Sequence, residues 1–196
     1  MNDAVILSAC RTPIGSFGGV FKDLSAAGLG AVVIREAITR ADIKASDLGD
    51  VIMGCVLQAG AGMNVARQAS LEAGVPVEVP AETVNRVCGS GLQAVVHGVE
   101  AVKAGFIDLI VAGGTESMSN APCVLKGARW GYRMGNAEAV DSMPRAGTTV
   151  ETLAALKAAF TKDGSVTAGN ASGVNDGAAS LCIGGGMGTA MVIEVT

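Results

Sequence analysis

The chain has 196 residues, a formal net charge of −4 and a single histidine, and 49% of it is hydrophobic against 16% charged. That charged share is well below the roughly 25% of an ordinary soluble domain, yet no run approaches the ~18 consecutive apolar residues of a membrane span. A pI of about 5.0 and the lack of any basic run argue against nucleic acid as a partner.

The apolar excess lies in Ala, Val, Ile and Gly, the residues of parallel strands buried on both faces. A layered α/β protein is therefore expected, hiding further surface in an oligomer. Five scattered cysteines (Cys10, Cys55, Cys88, Cys123 and Cys182) show no metal-ligand spacing. They fit free thiols in a reducing cytoplasm. The first residues read as a strand rather than a secretory or transit leader.

In chain order, Ala4–Cys10 reads as a buried strand. Ser25 caps a helix running to about Ala41, with Leu29, Val32, Val33 and Ala37 at helical spacing. Asp50–Leu57 is a second strand. Asn64 caps a helix to about Ala73, which Gly74 and Pro76 stop. Thr83–Val87, Gly89–Ala104 and Asp108–Gly113 follow as strand, helix and buried strand. Such alternation predicts parallel strands joined by right-handed crossovers.

Beyond Thr115 the rhythm stops. Glu116–Asp141 is polar and irregular and holds the only Trp, the only Tyr and a basic cluster of Lys126, Arg129 and Arg133, so it reads as an excursion loop. Thr149–Phe160 has the pattern of a short amphipathic helix. Gly173–Ala179 and Leu181–Val195 are Gly-rich and strand-like.

Three segments are candidates for chemistry. In Val84-Asn-Arg-Val-Cys88-Gly-Ser-Gly-Leu-Gln93 a strand enters a tight turn and a helix begins. The Cys88 sulfur then sits where the helix macrodipole and free amides favour negative charge, and its amide becomes a donor for an oxyanion. The same pattern also fits a small buried thiol packed at a strand–helix junction. Leu181-Cys182-Ile-Gly184-Gly-Gly186-Met-Gly188 is no dinucleotide fingerprint, because it leads into a strand. It offers either a thiol beside exposed amides or a bare glycine-rich hairpin. Thr167–Gly177 is a loop of small polar residues along which a ligand can lie close to the backbone, or a plain loop.

Taken together, the motifs resemble those of the thiolases, especially bacterial acetyl-CoA acetyltransferases. They are Ser8-Ala-Cys-Arg-Thr-Pro13, Gly15-x-Phe-Gly-Gly19, Asn64-Val-Ala-Arg-Gln68, Asn85-Arg-Val-Cys-Gly-Ser-Gly91, Gly113-Gly-Thr-Glu-Ser-Met-Ser119, Gly169-Asn-Ala-Ser-Gly-Val-Asn-Asp-Gly-Ala178 and Cys182-Ile-Gly-Gly-Gly-Met-Gly188. The resemblance implies an enzyme with a layered αβαβα fold of two similar halves. Here the N-terminal half is largely present and the C-terminal half mostly missing.

It also implies that Cys88 takes the acyl group of an acyl-CoA, and that Cys182 moves a proton at the methyl carbon of a second acetyl-CoA. The Cys88 and Gly184 amides would form one oxyanion hole, and Ser172 would contact the pantetheine arm of coenzyme A. No metal or bound cofactor is implied; coenzyme A is substrate and product. A homo-oligomer, dimer or tetramer, is expected, with residues around Pro122–Asp141 as its contact loop.

The domain organisation implied is 1–119 for the N-terminal half, 120–165 for a remnant of the loop and oligomerisation region, and 166–196 for the end of the first half fused to the terminal Cys-x-Gly hairpin. Against the family pattern, one block is missing near Met143/Pro144 and a larger one near Ala179/Ser180. The family's Asn-Glu-Ala-Phe and Gly-His-Pro motifs occur nowhere in the chain. His97 lies nine residues beyond Cys88, about 13.5 Å along a helix axis and on roughly its opposite side, whereas a base must come within about 3 Å of its proton. Joining two similar segments at 177–184 is expected to place Leu181–Gly184 in a first-half strand, with Cys182 away from Cys88. Two functions are therefore expected of such a chain: a thiolase-type acyltransferase, or an inactive relative whose remaining role is association.

Overall fold

The structure, a computed structural model, describes residues 3–143 and 175–185. The expected helix at Thr149–Phe160 and the loop at 167–174 lie outside them. The strands are β1 (Ala4–Arg11), β2 (Gly15–Ser16), β3 (Asp50–Gly54), β4 (Ala81–Val84), β5 (Leu109–Ser117), β6 (Cys123–Leu125), β7 (Ala139–Asp141) and β8 (Asn175–Gly185). The helices are α1 (Ala26–Arg40), α2 (Val65–Ala73) and α3 (Ser90–Lys103).

The main sheet runs β1-β8-β5-β3-β4, with β2 on the end of β8. Strand β3 is parallel to both β4 and β5, as the alternation predicts. Strand β8 is antiparallel to both its neighbours, β1 and β5, which departs from an all-parallel sheet. Within the described residues, the two Gly-rich segments join as one continuous strand over 175–185, and the rest of each segment, 173–174 and 186–195, lies outside them. No Gly or Pro breaks Ala178–Ile183, so the chain crosses the proposed junction at 179/180 without a turn.

Helices α1 and α2 cover one face, where Leu29, Val33 and Ile34 pack on Val51, Met53, Val111 and Cys182. Helix α3 covers the other, with Ala94 and Val102 on Ile52, Ile110, Ala112 and Ile183. Leu29, Ile34, Met53, Ile110 and Ile183 are fully buried, and burial of each such side chain stabilises by roughly 1.5–3 kcal/mol.

Strand β5 runs four residues past its expected end at Gly113. Its polar residues find partners on the start of α1: Thr115 Oγ1 donates to Ala26 O at 2.6 Å, and Ser117 Oγ donates to Leu24 O at 2.7 Å. The expected excursion loop therefore starts only after Ser117 and contains the β6–β7 hairpin. Among the described residues, no helix is long and apolar enough to cross a membrane.

Candidate active site

Helix α3 begins where β4 ends, and the five residues between them make a tight turn. Gly89 is the N-cap and supplies no side-chain acceptor, so the first amides of α3 are left for other partners. Val87 has φ +52°, a left-handed conformation that is strained for a β-branched residue. Both of its peptide groups are held. Its N–H donates to Asn85 Oδ1 at 3.0 Å, and its carbonyl accepts from Ser90 Oγ at 2.5 Å and from Ser90 N at 3.0 Å. Cys88 follows this strained residue directly and is exposed.

The first turn of α3 presses on the sheet because the residues beneath it have no side chains. A Cβ on Gly54 would come within 2.4 Å of the Ser90 carbonyl carbon, and one on Gly114 within 3.1 Å of Gly91 Cα. This contact puts Cys88 over the carboxyl ends of β3 and β5, where open α/β sheets hold their ligands. A cleft of about 380 Å³ opens there, with Arg11, Thr12, Val56, Cys88, Glu116 and Asp176 on its walls.

Two carboxylates on those walls are fully engaged in holding loops. Glu116 accepts from Val56 N at 2.9 Å, Leu57 N at 3.0 Å and the Cys55 thiol at 3.6 Å. Burial, and then the Glu116 charge, push the Cys55 thiol up to about 12. Asp176 is buried and accepts from both Ser119 N at 2.9 Å and Ser119 Oγ at 2.6 Å. Ser119 Oγ in turn accepts from Gly18 N at 2.9 Å, which ties the loop after β2 to β8.

Of the residues expected in the site, the structure brings Cys88 to the cleft and leaves two others elsewhere. Cys182 pairs with Ser8 and Val111 in mid-sheet, fully buried, on the α1 face. Cys88 opens the helix that covers the opposite face. Cys182 lies three positions beyond Ala179 at the cleft, about 10 Å along the strand, and burial pushes its thiol up to about 11. Gly184 lies two residues further, between Val5 and Leu109. The Cys88 and Gly184 amides therefore do not converge on one point here, because β8 carries the Cys-x-Gly segment into the sheet. Ser172 lies outside the described residues. His97 Nδ1 stands 3.9 Å from Glu82 Oε1, beside β4 rather than at the cleft.

Asn85, Glu116 and Asp176 belong to three of the family-like motifs, but the sequence alone assigns them no role. The available signal was their position: each is a polar residue where an apolar strand ends or begins, the place at which a sheet of this kind builds its site.

The fold and cleft define a mixed α/β protein that presents an exposed thiol where a helix begins. Residues 4–147 and 139–184 match the family description "Thiolase, N-terminal domain". The chain is 39% identical over 257 residues to an acetyl-CoA acetyltransferase of Syntrophomonas wolfei, covering 92% of this chain and 65% of that protein. It is 40% identical over 259 residues to one of Pseudomonas aeruginosa, covering 93% and 66%. The crystal structure of the Bacillus anthracis acetyl-CoA acetyltransferase superposes with a TM-score of 0.79 at 32% identity, over 94% of this chain and 66% of that one. The chain belongs to the thiolase family. It spans just under two thirds of the length of these relatives. Both curated alignments are longer than the chain itself, so the relatives carry residues inside the matched region that this chain lacks.

Proposed function

We propose that this chain takes part in thiolase-type acyl transfer, with Cys88 as the acyl acceptor. The Cys88 sulfur attacks the carbonyl carbon of an acyl-CoA thioester, and a new thioester bond forms as the carbon–sulfur bond to coenzyme A breaks. The thiol proton ends on the departing coenzyme A. A second acetyl-CoA would then give 3-oxoacyl-CoA and free Cys88, and the reverse is thiolysis. The exchange is redox-neutral and needs no group beyond coenzyme A. An acetyl or acetoacetyl group is the proposed substrate, by likeness to the acetyl-CoA acetyltransferases of Syntrophomonas wolfei and Pseudomonas aeruginosa.

The observation that carries this reading is the exposed Cys88 at the cleft over the strand ends. Two placements favour slow turnover by these 196 residues. The sole histidine stands next to Glu82, away from the cleft, and Cys182 is buried on the far face of the sheet. Acylation of Cys88 is thus the step retained, and carbon–carbon bond formation or cleavage the step impaired. We also propose that the chain self-associates through α3, whose outward residues Leu92 and Val96 are exposed, and works in the reducing cytoplasm to which its five free thiols are suited.

The test pairs a coenzyme A-dependent assay of acetoacetyl-CoA cleavage with mass spectrometry of the protein. An acetyl adduct on Cys88 with little cleavage is expected. Cleavage at ordinary enzymatic rates would refute the impairment, and a Cys88 that takes no acyl group would refute the acceptor role.

A further inference from the structure

We infer that Asn85 and Glu116 are positioning residues for Cys88, linked through the peptide of Val56; the inference rests on Cys88 being the acyl acceptor. The link is a continuous set of hydrogen bonds from the end of β5 to the turn before α3. The Glu116 carboxylate accepts from Val56 N and Leu57 N at 2.9 and 3.0 Å. The Val56 carbonyl accepts from Asn85 Nδ2 at 3.2 Å, and Asn85 Oδ1 accepts from Val87 N at 3.0 Å. Val87 is the residue at φ +52°, and the next residue is Cys88.

A left-handed valine is strained, because its branched Cβ crowds the following carbonyl, and persists only where its surroundings over-determine it. Ser90 fixes one side of that residue, its carbonyl. Among the described residues, Asn85 is the partner of the other side, its N–H. Asn85 is itself exposed, so its amide plane would turn freely without a second anchor. The Val56 carbonyl is that anchor, and Glu116 holds the Val56 peptide against the cleft wall. The Cys88 sulfur direction is therefore set by a carboxylate 28 positions further along the chain.

Such a device acts on orientation rather than exposure. Alkylation by iodoacetamide, which approaches from many directions, should be little changed in the variants. Acylation by acetyl-CoA, whose thioester is held in the cleft, should depend on where the sulfur points, and misplacement on the scale of 1 Å costs on the order of 100-fold.

The variants are Asn85→Ala, Glu116→Gln and the double variant Asn85→Ala/Val87→Gly, since glycine adopts positive φ without strain. The readouts are the rate of acetyl adduct formation on Cys88, the rate of its alkylation, and amide hydrogen exchange across 85–90. Expected are a 10- to 100-fold loss of acylation in both single variants, alkylation within about threefold of wild type, faster exchange across 85–90 and partial recovery with Gly at 87. Unchanged exchange across 85–90 in Glu116→Gln overturns the inference, as do single variants acylated at the wild-type rate or acylation and alkylation falling together. A wild-type Cys88 that takes no acyl group overturns the acceptor reading as well, which separates the two failures.

Discussion

Each thiol meets a different surrounding, and that difference decides how it behaves. Cys88 and Cys123 are exposed, whereas Cys55 and Cys182 are buried. Burial pushes Cys182 up to about 11, and burial with the nearby Glu116 carboxylate pushes Cys55 up to about 12, both from 9.0. At pH 8 a thiol reagent should consume Cys88 and Cys123 within minutes and reach Cys55 and Cys182 only as the protein unfolds. The same shifts bear on stability. Because the folded-state values lie above the unfolded one, the unfolded chain loses these protons first. The stability they contribute is complete below about pH 9 and drains away between pH 9 and about 11–12. The urea midpoint should accordingly fall as pH rises from 8 to 10.5, and fall less in Cys182→Ala. A midpoint that stays flat over this range, or native Cys182 that labels as fast as Cys88, would contradict the placement of β8.

At the level of elements, most of the fold was legible because its signals are local. Ser25 and Asn64 have the sequence signature of helix caps, and each side chain does accept from the amide three residues on, at 3.0 Å in both cases. Gly74 is a stop signal in the sequence, and it takes the left-handed conformation at φ +89°. The antiparallel course of β8 was not legible, since strand direction depends on where a distant segment docks and leaves no mark on a Gly- and Ala-rich run. The extent of β5 was missed for a related reason: its final polar residues look like loop until α1 supplies their partners. In the candidate site, Cys88 is legible from the strand–turn–helix pattern alone, while Asn85 and Glu116 require contacts across 29 to 60 positions of sequence. Asn64 shows how far one local signal reaches. Beyond capping α2, it accepts from Thr83 Oγ1 at 2.6 Å and donates to Ala81 O at 2.9 Å, so it also fastens β4, the strand that leads to Cys88. Replacing a cap of this type costs about 1 kcal/mol, and each further hydrogen bond contributes about as much. Asn64→Ala should therefore lower unfolding free energy by about 2–3 kcal/mol in denaturant titration, with Asn64→Asp losing less because its acceptor remains. A loss under about 1 kcal/mol would mean that β4 is held by the sheet alone.

The molecule as a whole has an uneven layering that bears on how it exists in solution. Two helices close one face of the main sheet, while α3 alone covers the other. The side of α3 turned from the sheet presents Leu92 at 72% exposure and Val96 at 39%, one helical turn apart, with Val87 exposed at its start and Phe106 just beyond its end. Soluble monomers rarely carry contiguous apolar patches beyond a few hundred Å². A stripe along a single helix can also meet its own copy about a two-fold axis, with the same residues on both sides. Charge does little to prevent this, since the stripe itself is uncharged and the net charge of −4 is spread over the whole chain. Light scattering should therefore report a mass above the 19.4 kDa of one chain, rising with concentration. Adding salt should not dissolve the association, because burial of apolar area drives it. Leu92→Lys combined with Val96→Lys should return the mass toward one chain without lowering the melting temperature, since neither side chain contributes to the sheet-facing core of α3. A wild type that scatters as a monomer at every concentration would show that this face is closed in some other way, and an assembly that survives the double lysine variant would place the contact elsewhere, with the exposed Trp130 and Tyr132 of the β6–β7 hairpin the next surface to substitute.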